Sequence, residues 1–333
     1  MTEPTTDQLF LGAYAMAPTE PAAETAFYAG VAELSLRGLE FPLTADGAPQ
    51  LSSQWIHEHV QPQWDLLVTC IPTTMSHLAS DGEHGLASTD DDARARALAD
   101  VARARDLALR LADEHGRRRV IAIQVHSAPG PGRGSREAFA RSLTEIAGWD
   151  LAGAQVLAEH CDARVPRQTA AKGFLSLDDE IMAIRHVLHD PARVRTSTAD
   201  AAPLDELFGL SVNWGRSAIE GRSSATPVEH VQTAVDSGLL RAVVFSGATD
   251  EAGLWGPAWS DAHIPPRGPA PALDASSSSL LGAEEIRATL DAIGPDVLVA
   301  VKVAVRPRDA DVATRVAVAR AALSAVVDAR PAP

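Results

Sequence analysis

Short apolar runs and longer amphipathic stretches alternate from one end of this chain to the other, and nothing else in it restricts the fold as much. Such alternation argues for repeated strand–helix units around a parallel sheet. Eight strands follow, over 9–15, 36–43, 65–71, 120–126, 155–162, 208–213, 241–246 and 297–305, with Pro72 stopping the third. Helices are expected over 21–34, around Trp55 and Ile56, and from Ser88–Asp92 to a cap at Gly116. Further helices start at Ser135, at Ser176–Asp179 and at an N-cap Thr226 followed by Pro227, the last ended by Gly238. Two more run over 283–293 (Gly294 as cap) and along Val312, Val316, Val318, Leu323 and Val326. Residues 73–88 read as a polar loop, Trp214–Gly221 as a short loop and 247–282 as a long one; long loops inside compact domains are usually functional.

With no composition break to mark a linker, one (β/α)8 barrel over 1–333 is the preferred fold. An open doubly wound sheet is the alternative, but no Gly-x-Gly-x-x-Gly follows any strand, so no nucleotide cofactor is expected. The net charge of −15 disfavours nucleic acid and anionic membranes as partners. Two cysteines in 333 residues fit a reducing compartment. No signal peptide is visible in Met1–Gln8, and the most apolar run, 297–305, is too short to span a bilayer. A soluble, cytoplasmic protein is the expectation.

In such a barrel, chemistry sits at the carboxyl ends of the strands. Gln155–Asp162 is the most informative stretch: it is apolar through Val156 and Leu157, then turns to Glu159, His160, Cys161 and Asp162. The other strand ends offer Tyr14, Glu40, His126, Asn213, Ser246 and Lys302. Neighbours on a strand face opposite sides, so Glu159 is expected in the lumen, and His160 joins it only if a bulge re-aims it. Past the strands, Asn213, Trp214, Arg216 and Glu220 are candidates for substrate contact, as is Trp259. Asp261 and His263, two apart in extended chain, make a workable pair of metal ligands.

These pieces, in this order, resemble the xylose-isomerase-like barrel superfamily of sugar isomerases and epimerases, and within it an uncharacterised bacterial domain-of-unknown-function family. The likeness spans nearly the whole chain, through Phe27-Tyr28, Gly38-Leu-Glu40, His126, Glu159, Asn213–Gly221 and Trp259–Pro265. It implies a small carbohydrate as partner, and relatives that are often dimers or tetramers. It also implies a divalent metal (Mn, Mg or Zn), with Glu159, Asp261 and His263 at matching positions. Two positions depart: Asn213 replaces an acid, and Lys302 stands where a glutamate is expected. An ammonium group repels a cation at short range.

Two mechanisms are open. Either a reduced metal site works through Glu159, Asp261 and His263, or Lys302 takes over the metal's electrostatic work while Glu159 moves a proton on and off carbon. A Schiff base on Lys302 ranks third. The catalytic candidates are Glu159, Lys302 and His126; the substrate contacts are Tyr14, Glu40, His160, Asn213, Trp214, Arg216, Glu220 and Trp259. An isomerase or epimerase is the leading class. The alternatives are a lyase or dehydratase on a keto-sugar, a metal-dependent endonuclease and a non-catalytic sugar-binding barrel.

Overall fold

Side-chain alternation sorts this protein into an inside and an outside. Its strands are β1 (Leu9–Leu11), β2 (Gly38–Pro42), β3 (Asp65–Thr69), β4 (Val120–Val125), β5 (Gln155–His160), β6 (Phe208–Asn213), β7 (Leu240–Phe245) and β8 (Leu298–Val301). In the computed structural model, which describes residues 6–189 and 203–330, all neighbouring strands run parallel and β1 pairs with β8. The sheet is therefore the closed barrel, not the open alternative. Residues 1–5, 190–202 and 331–333, part of the span 1–333, lie outside the described residues.

On β5, β7 and β8, one set of side chains (Val156, Ala158, Val243, Phe245, Val299, Val301) joins the large apolar layer under the helices. The other set (Leu157, Ala242, Val244, Ala300) meets Phe10, Leu67, Ile121 and Ala122 in a smaller cluster that fills the lumen. Above this hydrocarbon floor, Gln124 donates to Ser211 Oγ at 2.9 Å. The next level is charged.

Helix starts follow local chemistry. Asp90, Ser135 and Ser176 accept hydrogen bonds from the backbone N–H groups of Ala93, Ala138 and Asp179, and Gly116 ends the helix Asp91–His115 at φ +63. Several expected boundaries shift. The first strand stops at Leu11 and passes into a 3-10 turn, Ala13–Ala15, and the eighth stops at Val301. Part of the expected polar loop over 73–88 is a helix, Ile71–Ser80. The third strand stops at Thr69, ahead of Pro72 rather than at it, and Pro72 lies in the first turn of that helix, which its fixed φ suits. Ala225, not Thr226, is the N-cap of Thr226–Asp236. Trp214–Gly221 is helical because the Asn213 side chain accepts from the Arg216 N–H at 3.3 Å and caps it. Among the described residues no helix is long and apolar enough to cross a membrane.

Candidate active site at the barrel mouth

Register builds the site. Leu11 pairs with both Leu39 and Val301, so the next residues, Gly12, Glu40 and Lys302, share one level. Glycine is needed between them for space: a Cβ on Gly12 would lie 2.7 Å from Glu40 Oε2 and 2.9 Å from Lys302 Cγ. Across that gap Lys302 Nζ donates to Glu40 Oε1 at 3.1 Å and lies 5.0 Å from the centre of the Tyr14 ring. Burial works against the ammonium charge, but Glu40 outweighs it and holds Lys302 protonated. An amine held that way is a cation rather than a Schiff-base nucleophile. Burial pushes the Glu40 carboxyl up while Lys302 restrains it, and Glu40 Oε2 has no partner among the described residues.

On the opposite wall Val125 pairs with Ala158, which sets His126 beside Glu159. His126 Nε2 lies 2.7 Å from Glu159 Oε2. Asn213 Nδ2 donates to Glu159 Oε1 at 3.1 Å, and an Arg216 guanidinium nitrogen is 2.9 Å from the same oxygen. Burial opposes the charge on Glu159, yet Arg216, His126 and Lys302 outweigh it and hold the carboxyl well below its ordinary value. Burial pushes His126 down, despite Glu159. An ionised carboxylate only accepts, so Nε2 carries the proton and Nδ1 keeps its lone pair. Nδ1 is buried and has no partner among the described residues.

Arg216 joins this wall to the long loop. It reaches Asp261 Oδ2 at 3.3 Å and donates to Cys161 Sγ at 3.1 Å. Lys172 Nζ is 3.1 Å from the same Asp261 oxygen. Burial works against the Asp261 charge, and His263, Arg216 and Lys172 outweigh it, holding the carboxyl well below its ordinary range. His263 contacts Ser246 Oγ at 2.8 Å, and burial pushes its imidazole down to about 3. The loop is fastened by paired hydrogen bonds between Gly247 and Ile264 and by one from Ala304 N to the His263 carbonyl.

The structure thus gathers Tyr14, Glu40, His126, Glu159, Asn213, Arg216, Asp261, His263 and Lys302 at one rim. Glu159 and Lys302 bear on each other's charge, but each has a nearer partner, and their side chains are 0% and 1% exposed. A hollow of about 510 Å³, walled by Met16, Trp255, Ser260, Asp261, Ala304 and Arg306, opens beside the cluster, with Asp261 as the shared wall.

Four candidates lie elsewhere. His160 turns to the helix layer, as alternation without a bulge requires, and pairs with Glu180 at 2.8 Å. Glu220, at the end of its helix, pairs with His160 outside the lumen. Trp214 is fully buried in the apolar layer under the helices. Trp259 packs against that layer at the loop, under the Arg222 guanidinium. Lys172 and Gly12 are additions. Nothing local marked Lys172, whereas a glycine between Leu11 and Ala13 did signal close approach.

Among the described residues, three groups bring possible ligand atoms within 4.8 Å of one another: His77, His84 and Asp100; His126, Glu159 and Cys161; and His160, Glu220 and His230. The expected set of Glu159, Asp261 and His263 is not among them. The Arg216 guanidinium lies between its two carboxylates. It also donates to both Glu159 and Cys161 of the second group, so the mouth residues do not fit a divalent ion.

Residues 10–318 match the family described as Domain of unknown function (DUF4862). An uncharacterized protein of Salmonella typhimurium, STM3670, is 32% identical over 297 residues, 86% of each chain. Solved structures share the fold at lower identity. D-psicose 3-epimerase of Clostridium cellulolyticum H10 is 18% identical over 95% of this chain and 96% of its own, with a TM-score of 0.54. A xylose isomerase-like TIM barrel protein of Mycobacterium smegmatis in complex with magnesium is 14% identical over 99% of each chain, with a TM-score of 0.52. The chain belongs to the DUF4862 family and has the xylose isomerase-like (β/α)8 barrel fold.

Proposed function

We propose that this barrel transfers a proton at a carbon of a small polyhydroxylated carbonyl compound, as sugar isomerases and epimerases do, with protein cations in place of a metal ion at the mouth. The observation that carries this reading is the buried Nδ1 of His126, without a partner among the described residues, whose other nitrogen is fixed by Glu159. A carboxylate that orients a neutral imidazole leaves the far nitrogen as a general base. His126 therefore replaces Glu159 as the base, and Glu159 becomes its positioning residue.

His126 Nδ1 takes the proton from the carbon beside the carbonyl, and the electron pair of that C–H bond moves onto the carbonyl oxygen. Lys302 and Arg216 hold the resulting oxyanion in surroundings of low dielectric, where fixed charge acts strongly. Return of the proton to the opposite face of the same carbon gives the epimer; delivery to the neighbouring carbon, while the hydroxyl proton of the first carbon passes to the former carbonyl oxygen, gives the isomer. The free Oε2 of Glu40 accepts from a substrate hydroxyl. Entry requires Asp261 to part from Arg216 and Lys172, after which return of the loop excludes water. A fold shared with D-psicose 3-epimerase supports a sugar as the substrate.

The test is proton exchange from D2O into a panel of ketoses and aldoses. One deuterium beside the carbonyl is expected, lost by about 100-fold or more in His126→Gln. Product analysis separates isomerisation from dehydration, which begins with the same deprotonation. The 0% exposure of Glu159 and His126 favours a second reading, a binding barrel without turnover. Saturable sugar binding with no exchange supports that one; neither binding nor exchange refutes both.

A further inference from the structure

Behind β5, on the outer face of the barrel, lies a polar cluster that the mouth chemistry does not use. His160 Nε2 is 3.1 Å from Glu220 Oε2, and His230 Nε2 is 3.8 Å from Glu220 Oε1. The two imidazole rings stand edge to face, with centroids 4.9 Å apart. We propose that His160 Nε2, His230 Nε2 and the Glu220 carboxylate form a transition-metal site that takes Zn2+.

Ligands about 2.0–2.2 Å from a tetrahedral Zn2+ sit ~3.3 Å from one another; the two histidine–carboxylate distances here, 3.1 and 3.8 Å, lie on either side of that spacing, and all three ligand atoms are within 4.8 Å of one another. Two imidazoles and one carboxylate are a Zn2+ donor set, and leave a fourth position for water. The surrounding residues carry the assignment further. A metal-bound histidine normally offers its other nitrogen to an acceptor that fixes the ring. His160 Nδ1 lies 2.8 Å from Glu180 Oε2, and Ser127 in turn donates to Glu180 Oε1 at 2.6 Å. His230 Nδ1 lies 3.1 Å from Ser217 Oγ. Glu220 Oε2 accepts from the Ala163 N–H at 2.7 Å. Each ligand is thus oriented from behind.

Charge supports the same assignment. With both carboxylates ionised, a doubly protonated His160 leaves the cluster at −1; a divalent ion in place of the Nε2 proton brings it to zero. Among the described residues no lysine or arginine pairs with Glu220. The charged groups that bear on His230 are His160 and Glu220, whereas Arg216 occupies the mouth group and Arg103 stands 3.5 Å from Asp100 in the group of His77, His84 and Asp100. His160 is fully buried, while Glu220 and His230 keep 15% and 16% exposure, a path for the ion.

The experiment uses the full, untagged chain, stripped with a chelator and dialysed. Zn2+ is titrated in competition with a chromophoric chelator, and Co2+ is followed by its visible absorption. One equivalent is expected to bind below micromolar. His230→Ala and Glu220→Gln should each weaken it about 100-fold, and Glu180→Gln by roughly 10–100-fold. Glu159→Gln and His77→Ala should leave it unchanged. A site no tighter than about 10 µM, or undiminished affinity in His230→Ala, overturns the assignment. X-ray absorption of the Zn2+ complex of His77→Ala, which lacks the other two-histidine group, decides the case: two imidazole ligands support the site, none refutes it. The outcome is independent of whether the mouth turns over a sugar.

Discussion

Replacing Arg216 by methionine tests the electrostatic core of the mouth. The guanidinium is 1% exposed and bridges two buried carboxylates, 2.9 Å from Glu159 and 3.3 Å from Asp261. Methionine keeps much of the volume and removes the charge. Glu159 retains His126 and Asn213, and Asp261 retains Lys172 and His263, so neither is stripped of hydrogen bonds. Removing one partner of a buried pair costs about 3–5 kcal/mol, a large part of the ~5–15 kcal/mol that holds a domain folded. The loss should depend on pH. In the wild type Glu159 lies below its ordinary value, so its charge contributes stability at neutral pH that is lost only as pH falls through the lowered native value. Without Arg216, burial dominates and the native carboxyl binds its proton before the unfolded one does. The variant is then less handicapped at pH 5 than at pH 8. Urea unfolding at both values measures this, and adding Glu159→Gln should recover more than about 1 kcal/mol. A loss under about 1 kcal/mol, or one identical at both pH values, would refute the reasoning.

Other variants probe neighbouring contacts. Gly12→Ala drives a methyl against Glu40 and Lys302 and should cost about 1–3 kcal/mol, read by thermal unfolding; an unchanged midpoint would contradict the packing. Lys302→Met should lower proton exchange about 100-fold or more, and activity within about threefold of wild type would remove the ammonium from the mechanism. His263 is held neutral by burial to about 3, against an ordinary 6.5. The unfolded chain therefore binds a proton first as pH falls from 6.5, and stability declines by up to ~1.4 kcal/mol per unit. His263→Gln should flatten that decline in urea midpoints between pH 6.5 and 4.5.

The fold was legible because aliphatic runs, capping residues and glycines act locally. Period-two alternation also separated Glu159 from His160 correctly. What escaped was pairing. Glu159 finds its partners on β4 and on the helix after β6, and Lys302 finds Glu40 across the whole chain. Sequence order carries no trace of such meetings. Arg216 looked like a loop residue because Asn213 reads as polar strand end and helix cap alike. Glu180 lies on the buried stripe of Leu177, Ile181 and Ile184, and a glutamate there needs a buried partner, which is His160.

The most direct measurement is an anomalous difference map from crystals soaked in Mn2+. No peak is expected within bonding distance of Glu159, with the Arg216 guanidinium remaining between Glu159 and Asp261. A peak ligated by Glu159, with Arg216 displaced, would contradict that expectation.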